Sequence, residues 1–139
     1  MILFIDDEPF YVGSYIDELR DSGYEVKIET TVDNGADCFR NNTGQIELVI
    51  IDVMMPAGKT FKRVDKSLGL RTGFLLYDWL RDLDKDIPIV ILSNTDHQEV
   101  KEKFANETNW WFFRKDECFP FELVEAIKEI LSRGRQQAG

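Results

Sequence analysis

The sequence is poor in the residues that build metal or disulfide frameworks: 139 residues include two cysteines and one histidine. Cys38 and Cys118 stand far apart and in no CxxC or Cys/His pattern, which disfavours a zinc knuckle and a disulfide scaffold. Both thiols are expected to be reduced. Long apolar runs are also missing, since none approaches the roughly 18 residues of a membrane span. No basic segment, apolar stretch and small-residue cleavage site follow one another near Met1. The expectation is a soluble, cytoplasmic protein with no membrane partner. Positive charge is scarce as well: 17 Lys and Arg against 26 Asp and Glu leave a net charge of -9, which argues against counterion-releasing contacts to nucleic acid. No nucleic-acid partner is expected. There is no internal repeat, and the length fits one domain, assigned to residues 1–133, with a flexible polar tail over 134–139.

Four short apolar runs are present: "ILFI" from Ile2, "IELVII" from Ile46, "IPIVIL" from Ile87 and "WWFF" from Trp110. They lack polar alternation and read as strands buried on both faces, as in a parallel sheet. "EVKIETT" from Glu25 alternates instead, with Val26 and Ile28 on one side, and suits an edge strand. Helical spacing connects Val12, Ile16 and Leu19, then Leu76, Leu80 and Leu83, then Val124, Ile127 and Leu131. The last of these helices opens at Pro120 and carries Glu122 and Glu125 early, with Arg133 late and Gly134 beyond, in keeping with the helix dipole. Weaker patterns place helices over 34–40 and 98–106. Strand and helix then alternate five times, which is an α/β, doubly wound layout with helices on both faces of a five-stranded parallel sheet.

In such sheets ligands bind beyond the carboxyl ends of the strands. Strand one ends in Asp6, Asp7 and Glu8, strand three in Asp52, strand four in Ser93 and strand five in Lys115. Carboxylates gathered at one edge repel, a like-charged pair at 4 Å costing about 4 kcal/mol at an effective dielectric of 20. A hard cation resolves the conflict. Mg²⁺ takes oxygen ligands, commonly one or two carboxylates with waters and a phosphate oxygen. Lys115 then offers a point charge and Ser93 a hydroxyl to further phosphate oxygens. A carboxylate can itself be the nucleophile in phosphoryl transfer, and Asp52 is the best placed to serve. Each residue alone has a plainer reading. The acids before Pro9 could cap the first helix, and Asp52, Ser93 and Lys115 could be solvated turn residues. All four residue types nonetheless fall at the ends of the right strands, an order that the separate plainer readings do not explain.

Over nearly its whole length, from "ILFIDDEP" through "LVIIDVMMP" and "IPIVILSN" to "FFRKD", the sequence resembles the response-regulator receiver family. The resemblance implies a flavodoxin-like sheet of order 2-1-3-4-5. It matches Asp6 and Asp7 to the family's acidic pair, Asp52 to its phosphoacceptor, Ser93 to its switch hydroxyl, Phe112 to its switch aromatic and Lys115 to its lysine. It also implies Mg²⁺ held by Asp6, Asp7, Asp52 and the backbone carbonyl of Met54. The implied partners are a histidine kinase or phosphotransfer protein upstream and a protein target in trans downstream. The family's switching face of helix four, strand five and helix five also allows a homodimer.

Three departures stand out. Pro56 to Gly73 is longer than the family's usual few residues, so residues 57–72 form an insertion beside the site. Lys59, Lys62, Arg63, Lys66 and Arg71 against Asp65 give it +4, with -13 for the remainder. A solvated loop would explain this, and so would an element that docks a partner or shields the phosphoryl site. Asp116 replaces the proline that usually follows the lysine, which puts the geometry of that loop in question. Asn94 stands where a small residue is usual and, with Met54 and Thr95, bears on phosphate lifetime. Trp110 and Trp111 read as packing on opposite faces of the sheet. His97 reads as a solvated residue at the start of a helix, without a role.

Three functions compete. A phosphoacceptor receiver that catalyses only its own phosphoryl transfer and dephosphorylation leads. A phosphorylation-independent adaptor binding through the basic 57–72 loop is the alternative. A phosphatase of the haloacid-dehalogenase kind needs a second acid two residues after the nucleophile, where this chain has Met54.

Overall fold

Strands of four residues joined by helices set the architecture, and the computed structural model describes it for residues 1–55 and 72–138. In chain order the elements are β1 (Ile2–Ile5), a 3-10 turn (Pro9–Val12) leading into α1 (Gly13–Asp21), β2 (Val26–Glu29), α2 (Val32–Asn41), β3 (Leu48–Ile51), α3 (Thr72–Leu83), β4 (Ile89–Leu92), α4 (His97–Lys103), β5 (Trp110–Phe113) and α5 (Pro120–Ala138). The strands pair in the order β2-β1-β3-β4-β5, all parallel. This is the doubly wound, flavodoxin-like sheet expected. The insertion assigned to 57–72 lies outside the described residues, except for Thr72.

Because successive strand residues face opposite sides, the apolar runs divide into two cores. Leu3, Ile5, Val49, Ile51, Ile89 and Ile91 pack under α2, α3 and α4 through Phe39, Leu76, Leu80 and Val100. Ile2, Phe4, Leu48, Ile50, Val90 and Leu92 pack under α1 and α5 through Ile16, Leu19, Leu123 and Ile127. Trp110 joins the first core and Trp111 the second, as strand alternation requires.

The reading of "WWFF" as buried on both faces needs correction. All four residues of β5 are half-buried, because this strand is an edge of the sheet with a neighbour on one side only. Leu83 is exposed rather than packed with Leu76 and Leu80, since α3 ends there. α2 starts earlier than expected, where the Thr31 side chain accepts from the Asn34 N–H as a cap. α4 is displaced toward its start, where Asp96 accepts from the Gln98 N–H, and it ends at Lys103. α5 runs through Gly134 to Ala138, past the end expected at Arg133. A single glycine costs a helix about 1 kcal/mol, too little to stop one already packed through Ile127 and Leu131.

The register determines what meets beyond the strands. Ile5 is level with Ile51, and Ile51 with Ile91, so Asp6 and Asp52 emerge side by side with Ser93 one step further. The entry of α3 is fitted against this edge. The Val53 carbonyl accepts from both the Met55 and Gly73 N–H groups, each at 3.1 Å. A Cβ at Gly73 would lie 2.4 Å from the Asp52 carbonyl oxygen and 2.5 Å from the Val53 Cα, both backbone atoms. Gly73→Ala is therefore expected to destabilise the fold by about 3 kcal/mol through overpacking against backbone that cannot swing aside. Urea denaturation of the two proteins reads this directly, and equal midpoints would contradict it.

Candidate functional site

The carboxyl edge of the sheet brings one ammonium and three carboxylates together. Asp6 follows β1 and is fully buried. It does not cap a helix: its Oδ1 accepts from the Glu8 N–H at 2.8 Å, and the 3-10 turn that follows has no side-chain cap. Oδ2 of Asp6 accepts from Lys115 Nζ at 2.8 Å. Asp52, just past β3 and 6% exposed, has both oxygens occupied. Its Oδ1 accepts from Ser93 Oγ at 2.7 Å and from the Met54 N–H at 2.9 Å, while Oδ2 accepts from Lys115 Nζ at 2.9 Å. Asp7 is half-buried and completes the group: Asp6, Asp7 and Asp52 each place a carboxylate oxygen within 4.8 Å of the others.

That donor set fits a hard divalent cation, which prefers carboxylate oxygens and tolerates water at its remaining positions. Asp6, Asp7 and Asp52 are the side chains that would hold it. Burial pushes the Asp6 carboxyl above its usual 3.8, with the Lys115 and Glu8 hydrogen bonds pulling against it. Burial, then the charge of Asp52, pushes Asp7 in the same direction. Burial pulls the Lys115 ammonium down, but the hydrogen bonds to Asp6 and Asp52 outweigh it and leave the group above 10.5. Burial thus disfavours the charged forms of Asp6 and Asp7, while the Lys115 ammonium is held charged by its two carboxylate partners.

Lys115 is fixed through its backbone as well. Its N–H donates to the Ser93 carbonyl at 3.3 Å, and its carbonyl lies 2.9 Å from the Tyr15 hydroxyl. That hydroxyl also reaches the Cys118 carbonyl at 2.5 Å and ties α1 to the loop after β5. Sequence reasoning passed over Tyr15, although its place one turn before Leu19 put it on the buried face of α1 with a polar tip to satisfy. Thr95, also buried, has its Oγ1 3.0 Å from Ser93 Oγ. Since the Ser93 hydroxyl hydrogen is directed at Asp52, Thr95 is the donor of that second bond.

Two of the departures noted in the sequence meet in space. Asn94 Oδ1 accepts from the Asp116 N–H at 3.0 Å, a group a proline would lack. The Asp116 carboxylate takes a fork of hydrogen bonds from Arg114 Nε and Nη2 at 3.0 and 2.9 Å. An open pocket of about 400 Å³, lined by Glu8, Tyr11, Asn94, Lys115 and Asp116, lies against this loop. Phe112 is half-buried on β5, and the His97 ring meets it edge-on with centroids 4.9 Å apart. His97 is solvated as expected, and its Nε2 is also 3.5 Å from Glu117 Oε2. Met54 is 41% exposed and contributes its N–H to Asp52.

No family model matches the sequence, and no curated protein sequence matches it. Solved structures do. A response regulator receiver domain protein from Methanospirillum hungatei superposes with a TM-score of 0.79 at 22% identity, over 98% of this chain and 96% of that one. A response regulator receiver domain protein from Clostridium thermocellum gives 0.78 at 21% identity, over 98% and 97%. The Vibrio cholerae chemotaxis protein CheY4 gives 0.73 at 20% identity, over 93% and 96%. Structural neighbours over nearly the full length are thus receiver domains, and the fold is theirs. Among the described residues no helix is long and apolar enough to cross a membrane.

Removing the ammonium would leave two buried carboxylates without their shared cation. Lys115→Met is therefore expected to cost about 3 kcal/mol at neutral pH in metal-free protein. The folded protein holds the ammonium more tightly than the unfolded chain does, so its contribution is complete below pH 10.5 and is lost as pH rises through the folded value. Urea melts of wild type and variant should converge at strongly alkaline pH. A gap that stays constant from neutral to alkaline pH would contradict this.

Proposed function

We propose that this chain is a phosphoacceptor receiver domain of a two-component phosphorelay, phosphorylated on Asp52 with Mg²⁺. The observation that carries the reading is the sharing of Lys115 Nζ between Asp6 and Asp52, 2.8 and 2.9 Å away, beside the third carboxylate of Asp7. A structural ion pair needs one acid. Three acids around one base, at the edge where doubly wound sheets bind their ligands, suit the transfer of an anionic group.

In this reading an Asp52 carboxylate oxygen attacks phosphorus. The O–P bond forms as the donor's P–N or P–O bond breaks, and its electron pair leaves with the imidazole or carboxylate of the donor. Asp6, Asp7, Asp52 and the Met54 backbone carbonyl would hold Mg²⁺, which when bound would neutralise charge on the transferring oxygens. Lys115 exchanges one carboxylate partner for a phosphoryl oxygen, and Ser93 turns its hydroxyl from Asp52 Oδ1 to another. Ser93 and Phe112 are the switch residues, with α4, β5 and α5 as the face that changes. A histidine kinase or phosphotransfer protein supplies the phosphoryl group, and a protein target in trans reads it. The module signals and does not turn over a substrate. The adaptor alternative places its docking site on 57–72, of which 57–71 lie outside the described residues.

Intact-mass measurement after incubation with acetyl phosphate tests this. Wild type with Mg²⁺ should gain one phosphoryl group, while Asp52→Asn, or wild type with a chelator, should gain none. An unchanged wild-type mass would remove the phosphoacceptor reading and leave the adaptor.

A further inference from the structure

We infer that Asn94 is a positioning residue. Its side-chain oxygen and the Asp116 main-chain N–H form a latch that fixes where Lys115 places its ammonium, an inference that rests on the proposed phosphoacceptor function. The geometry is that of a turn held to the end of the neighbouring strand by a side chain. Beyond the last paired residues of β4 and β5, the Ser93 N–H donates to the Phe113 carbonyl at 3.2 Å and the Lys115 N–H donates to the Ser93 carbonyl at 3.3 Å. The next donor along the chain is the Asp116 N–H, and it finds Asn94 Oδ1 at 3.0 Å. The chain has turned here, with the Glu117 N–H donating to the Arg114 carbonyl at 3.1 Å, and the Asn94 side chain takes up the N–H inside that turn.

Lys115 is therefore held at its own N–H by Ser93, at its carbonyl by Tyr15 and at the following N–H by Asn94. The first two anchors are half-buried or better, whereas Asn94 and Asp116 are both exposed. The third is the bond that water can replace. Asn94 also adjoins Ser93, whose hydroxyl is on Asp52, so any movement of Ser93 toward an occupied Asp52 carries the latch with it. The latch links the two loops that must respond together. Because it lies at the surface, its loss should alter the site far more than global stability.

A double-mutant cycle decides this. Phosphorylation by acetyl phosphate at saturating Mg²⁺ is compared for wild type, Asn94→Ala, Asp116→Pro, which deletes the N–H, and the double variant. An exposed hydrogen bond of ordinary strength predicts that each single variant slows phosphorylation about three- to ten-fold. The double variant should be no slower than the slower single one. Asn94→Ala made in an Asp116→Asn background, which keeps the N–H, should lose the same factor. Asn94→Asp, which keeps an acceptor oxygen at the same reach, should restore most of the rate. The Mg²⁺ concentration for half-maximal rate should not move, because the three carboxylates are untouched. Hydrogen exchange at the Asp116 amide should quicken in Asn94→Ala. Multiplying effects in the double variant, a wild-type rate in Asn94→Ala, or unaltered Asp116 exchange would each overturn the latch. If Asp116→Pro melts early, Asn94→Ala against Asn94→Asp carries the same comparison. A wild type that takes no phosphate defeats the functional reading instead, and amide exchange at Lys115 and Asp116 then decides the latch alone.

Discussion

One ammonium between two buried carboxylates organises the carboxyl edge of this protein. Lys115, in the loop after the edge strand β5, reaches both Asp6 and Asp52, and its charge offsets a repulsion that burial would otherwise make prohibitive. Three structural facts serve that contact. The parallel register brings Asp6 and Asp52 out of β1 and β3 at the same level. Ser93 and Tyr15 grip the Lys115 backbone from either side. Gly73 lets α3 seat directly on the chain that carries Asp52. Among the described residues this one ammonium faces three acids, and burial first, with the charge of Asp52 after it, raises the carboxyls of Asp6 and Asp7.

That imbalance explains why the edge was legible from sequence while much around it was not. Asp6, Asp52, Ser93 and Lys115 each terminate an apolar run, and the pattern of buried strands fixes where runs end. Their convergence needed only the topology. The two-sided core was legible for the same reason, because Ile2 to Ile5 and Leu48 to Ile51 alternate between faces with no polar interruption.

What escaped depends on contacts between distant residues. The partial exposure of β5 follows from its place at the rim of the sheet, which no local property of "WWFF" encodes. The role of Tyr15 depends on the path of the chain after β5. Asn94 and Asp116 each looked like an isolated irregularity, and only their proximity shows that one answers the other. Helix ends were misplaced where a cap outweighed periodicity, at Thr31 and Asp96, or where packing outweighed a glycine, at Gly134.

The Val53 carbonyl has a consequence for how this family of shapes can vary in length. Because Met55 and Gly73 both donate to that one oxygen, the chain departs from the edge and returns to it at a common anchor beside Asp52. The entropy of closing a segment grows only slowly with the number of residues it contains. A change in the length of that segment therefore costs little in closure entropy at the anchor.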